Sequence, residues 1–240
     1  MHPQHRILLA NLKANAAKNA SKHADAYTGS GRPHLGVTVP LRRKIARAWL
    51  KENKPAPPPD ALALLDSLFA GASHEEKTLA AILLADMPEA RAAASMKKIE
   101  NWLDQLHGWA EIDSLCQNVF TAEIAANWGA WKSFLTKLAK DENIYKRRAA
   151  LVFLVGPVHY FDDPRFSGHA FTIISKLKAE RNIVITKAVS WLLRSMTTRH
   201  KSDVAAYLAA NEETLPKIAL RETRTKLHTG TKSGRAKANA

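Results

Sequence analysis

The chain is poor in the residues that would tie it to several common chemistries. It has one cysteine, Cys116, in 240 residues, so no internal disulfide can form, and the chain fits a reducing compartment. No run of ~18 apolar residues is present to write a membrane-spanning helix. The first apolar stretch, Ile7–Ala10, is too short for a signal-peptide core. No glycine-rich loop is followed by Lys-Ser or Lys-Thr, so nucleotide hydrolysis has no anchor. The ten histidines are scattered, and no pair of them sits at helical ligand spacing beside a carboxylate or further ligand. Zinc catalysis therefore has no ligand set, and a zinc deaminase lacks its cysteine pair. Strict apolar alternation, the mark of strands, is also missing.

Acid is scarce as well. Asp and Glu total 22 against 36 Lys and Arg, giving a net charge of +14 and a pI near 10. Such an excess points to nucleic acid or to an anionic membrane. The cations are dispersed through apolar-periodic segments rather than gathered on one amphipathic helix, which argues against the membrane. The expectation is a cytoplasmic, nucleoid-associated protein with a nucleic-acid partner, acting as a monomer and without metal or cofactor.

Apolar residues recur at three- and four-residue steps, which predicts an all-α chain. Helices are expected over 4–21, 40–53, 60–70, 75–86, 91–104, 110–127, 129–140, 143–156, 166–179, 182–198, 201–210 and 214–227. Ser73-His74-Glu75-Glu76 has capping-box spacing. The proline-rich 54–60 segment cannot be helical until Asp60, which is placed to cap the next helix. Gly29–Pro33 and Gly156-Pro157 read as breaks, and His159–Asp163 as a polar loop between repeats.

The segments EKTLAAILLADM, AEIDSLCQNVF, YKRRAALVFLVG and ITKAVSWLLRSM superpose with Lys77, Asp113, Arg148 and Lys187 in register, at steps of 36, 35 and 39 residues. A period in the high thirties with two helices per unit is the signature of HEAT or armadillo-like solenoids. The expected architecture is a superhelical solenoid of HEAT-like hairpins over 1–229, with equivalent helices lining a concave basic groove. An accidental alignment of helical segments is the competing account. From about Gly230 the chain is too polar and glycine-bearing to fold. Residues 230–240 form either a mobile basic tail that adds affinity for phosphate or a solvated tail with no task.

Three of the four register positions are cationic, and the fourth is Asp113. Trp109 lies one turn before it on the same helical face. An acid beside an aromatic, in a chain that gathers polyanions, needs a reason. Trp49, Trp102, Trp128 and Trp131 sit among alanines and leucines and read as packing, and Cys116 as a packed thiol. By spacing alone, Trp109 and Trp191 fit core packing more readily than a site.

Four stretches change that balance: Leu35-Gly-Val-Thr-Val-Pro-Leu-Arg-Arg43, Trp109-Ala-Glu-Ile-Asp-Ser114, Asn143-Ile-Tyr-Lys-Arg-Arg-Ala-Ala150 and Lys187-Ala-Val-Ser-Trp-Leu-Leu-Arg194. In this order and spacing the chain resembles, over nearly its whole length, the AlkD type of DNA alkylation-repair glycosylase. The resemblance implies hydrolysis of the N-glycosidic bond of purines alkylated at N3 or N7 in duplex DNA, without enclosing a flipped base. It implies Asp113 as the catalytic aspartate, Trp109 and Trp191 as lesion-facing aromatics, and Arg148 as the active-site arginine. Tyr27 matches an aromatic that members place against DNA. Thr38, Arg43, Lys44, Lys146, Arg147, Lys187 and Arg194 are the expected DNA contacts. Two positions depart from the pattern. Gly108 stands where members often carry a second aromatic, and apolar Val39 follows Thr38 in the loop before Pro40. The alternatives are a non-catalytic repeat protein that binds duplex or branched DNA, and a scaffold for an acidic protein.

Overall fold

The computed structural model describes residues 1–17, 24–53 and 57–234. Among them all regular structure is helical, and no helix is long and apolar enough to cross a membrane. The fold is an all-α helical repeat, in two compact units, Met1–Phe120 and Thr121–Ala240.

Unit 1 contains α1 (Pro3–Ala14), α2 (Ala24–Thr28), α3 (Val39–Glu52), α4 (Pro58–Phe69), α5 (His74–Ala85), α6 (Pro88–Ala93), α7 (Met96–Asp104) and α8 (Gly108–Cys116). Its central helix is α5, packed against α3, α4 and α8. The capping box forms as expected. Ser73 Oγ accepts the Glu76 amide, and Glu76 Oε2 accepts the Ser73 amide at 2.8 Å. The proline run behaves differently from its reading. Pro57 is the N-cap of α4, and Pro58 and Pro59 occupy the first turn, where an absent N–H costs nothing. Asp60 sits inside that turn, near the positive end of the helix dipole, instead of capping it. Residues 54–56 of that segment, and 18–21 of the first expected helix, lie outside the described residues. The short α2 had no periodic signal.

Burial overrides register at Lys77. It shares its repeat position with Asp113, yet it is 1% exposed, and its ammonium donates to Phe69 O at the C-terminal end of α4. Neighbours cover α5 from His74 to Ala81, so a cation there turns inward and meets a helix end rich in orphan carbonyls. Burial, with Arg32 nearby, lowers its pKa to about 8.

Unit 2 contains α9 (Thr121–Ala126), α10 (Trp128–Leu138), α11 (Ile144–Val152), α12 (Val155–Tyr160), α13 (Pro164–Leu177), α14 (Ile183–Met196), α15 (Lys201–Ala210) and α16 (Lys217–Thr229). Here α14 is central, against α11, α12, α13 and α16. Gly156 and Pro157 do not break the chain. They fall in the first turn of α12, buried, where proline is tolerated. His159 and Tyr160 close that helix, so only 161–163 of the expected loop is loop. Three long expected helices are each two. Ser95 caps a new start by accepting the Lys98 amide. Asn118, in the left-handed region at φ 65°, lies just past the end of α8, and a short turn at 153–154 separates α11 from α12.

Trp49, Trp102 and Trp131 are buried, as is Cys116. Trp128 is half-buried, edge-on to Phe166 and His169. The last helix ends at Gly230, whose φ of 74° suits the left-handed C-cap. Beyond it Lys232 reaches Glu222 at 3.1 Å. Residues 235–240 of the basic tail lie outside the described residues.

Candidate active site

The site in unit 1 is built on the start of α8. His107 offers no side-chain cap, and Glu111 compensates by accepting the His107 amide at 2.9 Å. Gly108 comes next at φ 72°, and a Cβ there would lie 2.3 Å from Thr28 O and 2.5 Å from Gly29 C. Only glycine lets the helix start abut the 28–29 backbone so closely. This explains why a second aromatic cannot stand before Trp109 in this chain. The approach sets Trp109 against Tyr27. The indole N–H donates to Tyr27 O at 2.6 Å, and the rings meet edge to face at 5.1 Å and 88°. Tyr27 is 72% exposed.

One turn along α8, Asp113 is buried and lines a cleft of about 650 Å³. Tyr27 and Trp109 line it too, with Arg42, Arg43 and Arg47 from α3 and His74 and Thr78 from α5. Four residues expected from sequence, Tyr27, Arg43, Trp109 and Asp113, thus share one cleft. Thr38 and Lys44 do not line it. Thr38 is the exposed N-cap of α3 without a side-chain capping bond, and Lys44 lines a separate depression with Trp49.

Three arginines against two carboxylates, Asp86 and Asp113, leave the cleft lining with an excess of positive charge, which suits a phosphate chain. Arg42 is buried and donates through Nη1 to Thr78, while its Nε meets no partner among the described residues. Burial lowers its pKa, Glu75 opposes that shift, and Arg43 adds to it. Glu75 is itself buried and receives the Leu35 and Gly36 amides at 2.9 and 3.0 Å. It thereby clamps the loop that leads into α3 and its arginines. Glu111, fully buried, lies 3.2 Å from His74 Nδ1 and 3.5 Å from Arg32 Nε.

In unit 2, Arg148 is 4% exposed and donates through Nη1 to Val184 O. Trp191 is half-buried on α14, and Lys187, one turn earlier, is exposed. The other expected DNA contacts there are engaged internally. Lys146 is buried, 3.6 Å from Asp141 Oδ2. Arg147 donates to both oxygens of Glu180 and to the carbonyls of Asp141 and Glu142. Arg194 lies against Ser190 and Glu222, and burial lowers its pKa against the pull of Glu222. The loop before α11 supplies the acceptor for Lys146 and, together with Glu180 after α13, those for Arg147, so neither side chain projects freely.

Arg42, Arg47, His74 and Glu111 are cleft or cleft-supporting residues that sequence reasoning missed. Arg42 had a weak signal in its pairing with Arg43, and Glu111 in lying between Trp109 and Asp113. His74 was hidden inside a capping motif.

The sequence matches the family described as DNA alkylation repair enzyme over residues 8–227. No match was found among curated proteins. Among solved structures, the chain is similar to a predicted DNA alkylation repair enzyme from Enterococcus faecalis. The TM-score is 0.72 at 17% identity, covering 87% of this chain and 95% of that one. At that identity the likeness concerns the fold.

Proposed function

The chain belongs to the family of DNA alkylation repair enzymes, which takes DNA as its substrate, and we propose that it is a glycosylase for cationic N3- and N7-alkylated purines in duplex DNA. The observation that carries this reading is a buried carboxylate, Asp113, beside an indole, Trp109, in a cleft lined by three arginines. A surface that only binds phosphate gains nothing from an acid there. An enzyme that must stabilise positive charge on a sugar does.

Alkylation at N3 or N7 makes the base a cation and hence a good leaving group, so no acid need protonate it. The remaining demand is to stabilise an oxocarbenium-like sugar and to admit water, as glycosidases do with a carboxylate. Asp113 supplies the negative charge opposite C1′. Trp109, held by its bond to Tyr27 O, offers an electron-rich face worth ~0.5–2 kcal/mol to a cation. Arg43 and Arg47, exposed on the cleft wall, meet phosphates, and nearby guanidinium groups favour the ionised form of an acid. For Arg148 and Trp191, both in unit 2, the resemblance alone suggests phosphate holding and a second aromatic face; Arg148 itself is 4% exposed and donates to Val184 O. An open cleft has no need to enclose the base, so bulky adducts should be processed.

The test is incubation with duplex DNA carrying N7-methylguanine and measurement of released free base, with Asp113→Asn as control. Release by the wild type and its loss in the variant support the reading. Tight binding with no release would make the chain a duplex-binding repeat protein instead.

A further inference from the structure

We infer that His74 is a second catalytic group of this cleft, the base that takes the proton of the attacking water, and that Glu111 is its positioning partner. The inference rests on the glycosylase reading above and deepens it.

His74 begins α5 and lines the cleft together with Asp113. Its ring is fixed on two sides. Nδ1 lies 3.2 Å from Glu111 Oε1, and one ring face packs on His34 with centroids 4.6 Å apart and planes 30° apart. His74 is 5% exposed and lines the cleft, and Nε2 is the ring nitrogen left without these contacts. Among the described residues nothing hydrogen-bonds Nε2. A carboxylate acceptor at Nδ1 places the ring proton there and leaves the Nε2 lone pair available. This is the carboxylate–histidine arrangement that orients an imidazole as a general base, with water in place of a serine hydroxyl.

The surroundings also fit. Glu111 is fully buried and held by Arg32 Nε and the His107 amide, so it cannot swing away from the imidazole. His34 is tied through Nε2 to Thr28, the last residue of α2, and to Ser30 just beyond it. The charged groups around His74 are Glu111 and Asp113 from α8, Arg32 from the loop, Arg42 and Arg43 from α3, and Glu75 and Lys77 from α5 itself. Arg32 and Lys77 both lie close to Glu111, so its charge is shared. They do not take the oxygen that faces Nδ1.

The division of labour has a chemical basis. As the C1′–N bond breaks, its electron pair neutralises the cationic purine. The water oxygen bonds to C1′, and one water proton passes to His74 Nε2. The imidazolium so formed is stabilised by Glu111 and later gives its proton to solvent. Asp113 remains ionised throughout, opposite the sugar. The products are a neutral alkylpurine, an abasic hemiacetal and one proton.

The test is single-turnover excision of N7-methylguanine at saturating enzyme, by wild type, His74→Ala, His74→Gln, Glu111→Gln and Asp113→Asn. General-base catalysis is worth ~10²–10⁴-fold in rate at full strength. We expect His74→Ala and His74→Gln to slow excision at least ~10-fold with duplex affinity changed less than ~2-fold. Glu111→Gln should fall between them and the wild type. Imidazole added to the buffer should restore part of the His74→Ala rate, because it fits the vacated space, and should restore nothing in Asp113→Asn. A solvent deuterium isotope effect in the wild type should shrink in His74→Gln. Should His74→Ala be unstable, His74→Gln and its isotope effect carry the test. Wild-type rates in both His74 variants overturn the inference and leave the glycosylase reading standing. So does a slowed His74→Ala that imidazole does not lift. A wild type that releases no base overturns both.

Discussion

Single residues carry the chemistry proposed for this protein, and single substitutions separate it from packing. Asp113→Asn preserves shape and removes the anion opposite the developing sugar cation. Base release should fall at least ~100-fold, in line with lost transition-state electrostatics. Duplex affinity, read by fluorescence anisotropy, should hold or rise slightly, because a charge repelled by phosphate has gone. Trp109→Ala should slow excision of a cationic base more than it weakens binding to undamaged duplex, since a cation–π contact acts on charge at the lesion. Trp102 is the contrast. It is 2% exposed, packed on Phe69, and its indole N–H is bound to Asp66. Trp102→Ala should cost roughly 3–5 kcal/mol of stability by denaturant titration and spare the chemistry of the folded fraction. Identical behaviour of the two variants would remove Trp109 from the site.

At the scale of elements, the first helix is tied to the core by a buried polar chain. His5 Nδ1 meets Ser67 Oγ, and His5 Nε2 meets Glu76 Oε1, each at 2.8 Å. This links α1, α4 and α5, while Glu76 also closes the cap of α5 through Ser73. Burial pushes the Glu76 carboxyl up, but hydrogen bonds from His5 and Ser73 outweigh it and bring the pKa down to about 2 from an ordinary 4.5. A depressed carboxyl stabilises the fold fully above its unfolded pKa and loses that contribution as the pH falls from 4.5 towards 2. The loss should be roughly 2 kcal/mol once solvent screening is allowed for. Glu76→Gln should lower stability at pH 7 and flatten its pH dependence across that window, as read by thermal melts. A variant with the wild-type slope would assign acid sensitivity elsewhere. Gly108 makes a second element-scale case. Gly108→Ala forces a Cβ into the 28–29 backbone at positive φ, so it should destabilise the protein by ~2–4 kcal/mol and displace Tyr27 from Trp109. A melting temperature equal to wild type would contradict this.

At the scale of the whole molecule, the excess of 14 positive charges sets how binding responds to salt. Log affinity for duplex should fall linearly with log salt, by about 0.9 for each phosphate neutralised. Exposed Arg43, Lys44 and Lys187 are the first candidates to contribute. Removal of residues 230–240 should lower the slope modestly and leave single-turnover excision at saturation nearly unchanged. A flat salt response would point to a protein partner.

The sequence by itself determined the helical class, the repeat and the one-turn spacing of Trp109 and Asp113. Those depend on composition and on spacing within one helix, which local geometry fixes. Capping chemistry was legible for the same reason, as Ser73 and Glu76 lie three residues apart. Only the tertiary structure decided which helical faces are covered. Register set Lys77 level with Asp113, but neighbours on three sides turned it inward to Phe69 O. Arg147 looked like a surface cation until Glu180, 33 residues on, came against it. Gly108 looked like a lost aromatic until the backbone at 28–29 arrived against it. His74 meets Glu111 from 37 residues away. Such contacts depend on where two distant elements come to rest, and no spacing along the chain encodes that.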